Sequence, residues 1–206
     1  AHRGMLLDRH GEVLAVSTPV DSVWANPTEF RPDSAELKQL AGLLELNSDV
    51  LAENLVHRQQ RKFVYLKRGI SPELGHQVKG MGLDGLYLER EYRRYYPAGE
   101  SASQVLGFTD VDDVGRDGLE LLFEERLAGS PGAKRMIRDL QGRWVENVEG
   151  IRVPRAGESL TLSIDKQLQY LAFRELKKAV VEHQATAATA VLLDGLSGEV
   201  LAMVNL

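Results

Sequence analysis

The sequence predicts a mixed α/β chain of the α+β type, with short sheets and capped helices following one another irregularly. Three observations lead there. Apolar runs a few residues long are bounded by Gly, Pro, Asn and Asp, the punctuation of strands and turns. Three helix starts carry capping chemistry, at Asp33, at Ser71-Pro72 and at Asp165. The last two runs, Ala187 to Leu193 and Val200 to Val204, are apolar almost without alternation, which marks strands meant to be covered on both faces.

The elements follow in order. Arg3 to Val16 reads as a hairpin, with Met5-Leu6-Leu7 and Val13-Leu14-Ala15-Val16 around the turn Asp8-Arg9-His10-Gly11, which ends in Gly. Val20 to Ala25 reads as a further short strand, closed by Asn26-Pro27. Asp33 with Glu36 is a capping box, after which Leu37, Leu40, Ala41 and Leu44 share one helical face. Ser48 is expected to cap a second helix that turns Val50, Leu51 and Leu55 inward. Lys62 to Lys67 reads as a strand. Ser71-Pro72 starts a helix that should end at Lys79-Gly80. Leu86 to Tyr92 returns to strand, and Asp117 to Ala128 reads as one short helix stopped by Gly129. Lys134 to Glu146 reads as a hairpin about Gln141-Gly142, and Leu160 to Ile164 as a strand. Asp165 then caps the longest helix, with Leu168, Leu171, Ala172, Leu176, Ala179 and Val180 on its inner side. The boundary is placed at Gly150 to Gly157, dividing residues 1–155 from residues 156–206.

Composition narrows the function classes. Of 206 residues 43% are apolar and 27% charged, ordinary for a chain with a real core, and the net charge of −5 argues against a polyanion-coating protein. Without cysteine there is no disulfide, thiolate nucleophile or cysteine-based zinc site. No run reaches the roughly 20 apolar residues of a membrane span, and no signal peptide is evident. A first residue that is not Met and a last one, Leu206, inside an apolar run suggest a piece of a longer chain.

Several motif matches do not survive their context. Gly80-Met81-Gly82-Leu83-Asp84-Gly85 spells G-x-G-x-x-G, but a dinucleotide site needs strand before and helix after, and here the order is reversed. Asp110 to Gly115 begins like a calcium loop, yet Val114 and Leu121 occupy positions that need carboxylates or amides. The five histidines, at positions 2, 10, 57, 76 and 183, form no H-E-x-x-H pair. Arg93-Arg94-Tyr95-Tyr96 mixes basic and aromatic residues as single-strand binders do, but Glu89, Glu91 and Glu100 surround it, so no nucleic-acid partner is expected.

Longer patterns in a fixed order carry more information. Arg3-Gly4 through Asp8-Arg9-His10-Gly11 to Leu14-Ala15 resembles the R-G-x-x-x-D-R-x-G-x-x-L-A opening of class B penicillin-binding proteins. Arg94-Tyr95-Tyr96-Pro97-Ala98-Gly99, followed by Leu106-Gly107-Phe108, resembles their R-x-Y-P-x-G motif. Asp117-Gly118-Leu119-Glu120 with Leu127-Ala128-Gly129 and Gly132 resembles the third. Gly157 to Asp165 with Leu168-Gln169 resembles the entry to the transpeptidase domain, and Ser197 to Met203 its first hairpin. Gly107 to Asp112 is closest to the division branch.

The resemblance implies an elongated pedestal module over residues 1–155 and the start of an incomplete transpeptidase domain over 156–206. It implies that the catalytic Ser-x-x-Lys, Ser-x-Asn and Lys-[Ser/Thr]-Gly motifs lie elsewhere, so this stretch is expected to hold none of them and to be inert. The residues singled out are structural fasteners: Arg3, Gly4, Asp8, Arg9, Gly11, Arg94, Tyr96, Pro97, Gly99, Gly118, Glu120 and Asp165. Their glycines offer positive φ or close approach, and Arg3, Arg94, Asp8 and Glu120 offer charge-assisted pairing between distant segments. Arg3, Arg94 and Glu120 are expected to form one partly buried cluster. No cofactor is implied. The implied setting is the periplasmic face of the inner membrane, behind an upstream anchoring helix. The implied partners are a septal glycan polymerase and other membrane-anchored division proteins, with peptidoglycan stem peptides as substrate of the parent. Self-association through residues 165–206 is expected from the uncovered hairpin. A stand-alone periplasmic adaptor without a catalytic parent, and a nucleotide-binding enzyme using Gly80 to Gly85, are the alternatives.

Overall fold

The computed structural model describes residues 2–138 and 144–206. Its elements, in chain order, are β1 (Leu6–Leu7), β2 (Val13–Ala25), α1 (Ser34–Leu43), α2 (Ser48–His57), β3 (Val64–Ile70), α3 (Pro72–Gly80) and β4 (Leu86–Tyr95). A 3-10 turn at Gly99–Ala102 follows, then α4 (Ser103–Leu106), α5 (Gly118–Leu122), α6 (Glu124–Leu127), β5 (Ala133–Arg138), β6 (Trp144–Arg152), β7 (Leu160–Thr161), α7 (Lys166–Glu182), β8 (Thr189–Leu193) and β9 (Val200–Asn205). The chain is mixed α/β, as the sequence predicts. It divides into two compact units, residues 18–93 and a discontinuous one made of residues 1–17 with 94–206.

In the discontinuous unit, β1 pairs antiparallel with the start of β2, Leu6 opposite Ala15, and parallel with β7, Leu6 opposite Leu160. Leu6, Leu14, Ala15, Ala102, Leu106, Leu127 and Leu160 form its core. Each such leucine contributes about 1.5–3 kcal/mol relative to exposure. Helix α7 starts at Asp165, whose carboxylate accepts from Gln167 N and Leu168 N. Hairpin β8–β9 is antiparallel, Val191 opposite Met203. Ala202 and Val204 are buried, whereas Val191, Leu192 and Leu193 stand exposed. Strands β5 and β6 form the hairpin expected near Lys134 to Glu146, with Arg138 opposite Trp144. Its expected turn, Gln141-Gly142, lies outside the described residues.

In the unit of residues 18–93, the rest of β2 pairs antiparallel with β3, Trp24 opposite Tyr65 and Asp21 opposite Ile70. Its core joins Val23, Ala25, Phe30, Leu40, Leu44, Ile70 and Val78. The α1 capping box is complete: Asp33 accepts from Ala35 N and Glu36 N, and Glu36 accepts from Asp33 N, all at 2.8 Å. Ser71 accepts from Leu74 N ahead of Pro72, and α3 runs to Gly80 as expected.

Four elements differ from expectation. Strand β2 is continuous across Pro19: the β1 ladder ends at Ala15 and the β3 ladder begins at Asp21, so neither of these two uses the N–H that proline lacks, and β4 pairs with the same strand. The α2 cap is Asn47, not Ser48: in extended backbone Asn47 accepts from Asp49 N and Val50 N, which leaves Ser48 in the first turn. The helix expected over Asp117 to Ala128 breaks at Phe123, whose ring packs on the Leu6–Leu160 core. The strand expected to reach Ile164 is the two-residue β7.

Candidate functional site

The densest polar constellation lies in the discontinuous unit and is built by four segments. Arg3 precedes β1, Arg94 sits near the end of β4, Glu120 is on α5 and Glu124 on α6. Glu120 Oε2 accepts from Arg3 Nε at 2.8 Å, and Glu120 Oε1 from Arg94 Nε at 2.7 Å. All three side chains are within 1% of complete burial. Arg3 Nη2 donates to the Glu120 carbonyl at 2.9 Å, Arg3 Nη1 to the Asp113 carbonyl at 3.1 Å, and Arg3 Nη1 lies 2.7 Å from Glu124 Oε2. Arg94 Nη1 donates to the Gly4 carbonyl at 2.8 Å and to Ser17 Oγ at 3.2 Å. Burial opposes the Arg3 charge, but hydrogen bonds and attraction from Glu124 and Glu120 outweigh it and raise its pKa. The structure thus brings Arg3, Arg94 and Glu120 together. Glu124, Ser17 and Asp113 complete the cluster and carry no sequence signal, since nothing in a sequence says which of several glutamates on a helix faces inward.

Glycines let backbones touch around this cluster. A Cβ on Gly4 would lie 2.0 Å from the Glu158 carbonyl oxygen, and Gly4 N donates to the Leu127 carbonyl at 2.8 Å. Gly118, at φ +57, stands against Gly107 N. Pro97 occupies the second position of a turn in which Gly99 N donates to the Tyr96 carbonyl at 3.0 Å, the place where proline's fixed φ suits the chain. Tyr96 is half-buried, its hydroxyl accepting from Thr109 N at 3.1 Å. Burial first, and then the Glu120 charge, push its phenol upward.

Asp8, Arg9, Gly11 and Asp165 make a second joint, distinct from the cluster. Asp8 Oδ1 accepts from His10 N and Glu12 N, both at 2.8 Å, and Asp8 Oδ2 from Lys166 N at 3.2 Å. Asp8 therefore pins backbone amides rather than an arginine. Burial works against its charge, but the amides of Glu12, Lys166 and His10 outweigh it and hold its carboxyl below the ordinary range. Gly11 closes the turn at φ +81, Arg9 reaches Glu199, and His10 Nε2 lies 3.1 Å from Asp165 Oδ2. Gln169, which belongs to the motif of the transpeptidase-domain entry but was assigned no role there, is fully buried. Its amide donates to the Ser101 and Met203 carbonyls and accepts from Met203 N, clipping α7 to β9.

The expectation that no Ser-x-x-Lys occurs needs correction. Ser163-Ile164-Asp165-Lys166 has that spacing. Ser163 precedes helix α7 and its Oγ donates to the Val200 carbonyl at 2.8 Å, while Lys166 Nζ is 3.0 Å from Glu12 Oε2. A serine needs a base to take its proton, and here its hydroxyl proton is committed to a main-chain carbonyl and the lysine to a carboxylate. The spacing is that of a helix entry, with Asp165 as its cap.

The remaining motifs resolve into turns. Asp110 Oδ1 accepts from Asp112 N and Val114 N, and Asp110 Oδ2 from Arg116, which holds the acidic loop as a bracket. Gly80 to Gly85 links the end of α3 to β4, so the helix end beside it is a carboxyl end, unsuited to a pyrophosphate. A cleft of about 630 Å³ beside it is lined by Asp21, His76, Lys79 and Arg90, with Arg90 Nε donating to Asp21 Oδ1 at 2.5 Å. Among the described residues, no group of three or more acidic or histidine side chains could hold a metal ion, and no helix is long and apolar enough to cross a membrane.

Comparisons with known proteins agree on one family. A family model described as the penicillin-binding protein dimerisation domain matches residues 1–162. A probable peptidoglycan D,D-transpeptidase PenA of Neisseria meningitidis serogroup A is 41% identical over 209 residues, covering 100% of this chain and 36% of the relative. The peptidoglycan D,D-transpeptidase FtsI of Escherichia coli K12 is 39% identical over 208 residues, covering 98% of the chain and 35% of the relative. The crystal structure of penicillin-binding protein 2X from Streptococcus thermophilus superposes with a TM-score of 0.68 at 21% identity, over 100% of this chain and 34% of that one, which speaks for the fold. The chain spans about a third of the length of these relatives.

Proposed function

Because this chain belongs to the penicillin-binding protein dimerisation-domain family, as the amino-terminal region of a class B protein of the division type, we propose that it is the non-catalytic scaffold of a septal peptidoglycan D,D-transpeptidase. The observation that carries this reading is the mutual pairing of its charged motif residues. Both oxygens of Glu120 are taken by buried arginines, so the side chains best suited to chemistry are consumed in fastening distant segments. Residues 1–155 serve as the pedestal and residues 156–206 as the first helix and hairpin of the transpeptidase domain. The Asp8, Asp165 and Gln169 contacts fix that hairpin's β9 strand to the amino-terminal segment. In the parent, the serine that attacks stem peptides lies in sequence beyond the region described. The setting is the periplasmic face of the inner membrane behind an upstream helix, and the partners are a glycan polymerase and other division proteins.

The test is covalent labelling. Incubation of the 206-residue chain with a fluorescent penicillin, followed by denaturing electrophoresis, is expected to leave the band unlabelled. A labelled band that excess unlabelled penicillin blocks, and that Ser163→Ala abolishes, would refute the scaffold reading. A stand-alone adaptor is separated from this reading by the coding sequence that follows Leu206, where a parent enzyme must supply its nucleophile.

A further inference from the structure

The sheet of residues 18–93 ends in an open edge. Strands β3 and β4 both pair with β2, and among the described residues β4 pairs with no other strand. Gly85 and Arg93 turn their carbonyls toward β2: Gly85 O accepts from Asn26 N at 2.8 Å and Arg93 O from Thr18 Oγ1 at 3.2 Å. Successive residues of a strand point their main-chain groups to opposite edges, so Leu86, Leu88 and Arg90 turn theirs outward. Leu86 N donates to the Leu83 carbonyl at 3.3 Å. The outward N–H and C=O of Leu88 and Arg90 meet no partner among the described residues. Such a row is a template for another extended chain.

A groove lies against this strand. Helix α3 stands beside β4 and leaves the cleft of about 630 Å³, whose apolar side is Val78, Leu83, Leu86 and Leu88. An edge strand beside a groove is the arrangement in which an added strand gains affinity from its backbone and specificity from alternate side chains. The opposite face of the sheet is acidic near β4. Tyr87 stacks on Trp24 at 4.4 Å and donates its hydroxyl to Glu29 at 3.0 Å, and the Tyr65 hydroxyl donates to Glu89 at 3.2 Å. Glu91 is paired with Arg68, whereas Glu29 and Glu89 form no ion pair among the described residues.

We propose that the free edge of β4 and the groove beside α3 form a strand-addition site for an extended segment of another protein, with apolar side chains facing the groove and basic ones on the opposite face. Leu88 and Arg90 supply the backbone bonds, Leu86 and Leu88 receive the apolar side chains, and Glu89 meets the basic ones. A second copy of this chain is a poorer occupant. Antiparallel pairing of two β4 strands centred on residue 89 or 90 sets Glu89 opposite Glu89 or Glu91, and like charges directly opposite one another are destabilising. The site stands whether or not the chain is the scaffold of a transpeptidase.

The test uses the 206-residue chain and a capped peptide of about ten residues that alternates valine and lysine. In the free chain the Leu88 and Arg90 amides are expected to exchange fast, and the peptide to slow them several-fold and saturably. Two further peptides, N-methylated at every valine or at every lysine, each lack donors along one edge, and one of the two is expected not to bind. Glu89→Lys, at an exposed position, should weaken binding of the valine–lysine peptide several-fold. Leu88 and Arg90 amides that the peptide does not slow overturn the proposal. So does binding indifferent to both methylation patterns or to Glu89→Lys. Protection of the same amides by protein alone, rising with its concentration, assigns the edge to a second copy and overturns it as well.

Discussion

Replacing Glu120 by alanine removes the carboxylate that both buried arginines share. Arg3 retains Glu124 and two carbonyls, and Arg94 retains the Gly4 carbonyl and Ser17 Oγ. Because the Glu120 carbonyl that Arg3 Nη2 reaches is main chain, it survives the substitution. What is lost is two charge-assisted bonds in a site where the arginine side chains are 0% and 1% exposed. Breaking a buried pair by deleting one partner costs about 3–5 kcal/mol. Glu124 still offsets part of the Arg3 charge, whereas Arg94 loses the one carboxylate bond it makes among the described residues, so about 4 kcal/mol is expected. That is a large share of the roughly 5–15 kcal/mol that holds a domain together. Urea unfolding followed by circular dichroism measures it, with amide exchange at Gly4 and Leu160 locating the loss at the strands the cluster fastens. Glu120→Gln keeps the volume and should cost less, on the order of 2–3 kcal/mol, since one oxygen still accepts while its amide faces an arginine. A loss below about 1 kcal/mol for alanine, with those amides still protected, would show that the arginines relax to other partners and that the cluster does not fasten the fold.

Three further outcomes are expected. Gly4→Ala should prevent proper folding, because its Cβ would stand 2.0 Å from the Glu158 carbonyl, whereas Gly11→Ala, with open space around φ +81, should cost only about 1 kcal/mol; thermal unfolding of the two variants compares them. Asp8 contributes stability that is full above the ordinary aspartate range and is lost as pH falls through its lowered value, so Asp8→Asn should be less stable at neutral pH and should flatten the acid side of the stability profile. The exposed Val191, Leu192 and Leu193 should drive self-association of the 206-residue chain, and Leu193→Glu should return it to monomer in light scattering; a wild-type chain monomeric at high concentration would reject this.

Local chemistry was readable wherever it is written in adjacent residues. Asp33 with Glu36, Ser71-Pro72 and Asp165 cap where the sequence places them, because a cap involves only the next turn. The continuity of β2 across residues 17–19 was not legible, since it is set by a ladder to β3 that lies tens of positions away in sequence. The pairing of Arg3 with Glu120 and Arg94 came from motif order, not from spacing. Asp8 was expected to fasten distant segments by charge-assisted pairing, and its partners are backbone amides, which every residue has and no sequence marks. The contacts of Glu124, Asp113 and Gln169 were not legible for the same reason: they arise only when segments 1–17, 94–128 and 160–206 are assembled.

That assembly has a temporal side. Strand β1 finds its parallel partner in β7, Leu6 beside Leu160, and Gly4 is gripped by Leu127 and Glu158. Residues 18–93 form a contiguous compact unit. A ribosome adding about 5–20 residues per second therefore finishes the contiguous unit first, while the amino-terminal strand waits on the order of 10 s for its partner to be made. Closing so long a loop is slow in its own right, because its entropy must be spent before any contact rewards it. During that interval β1 has its antiparallel partner β2 on one side and an open apolar edge on the side that β7 fills.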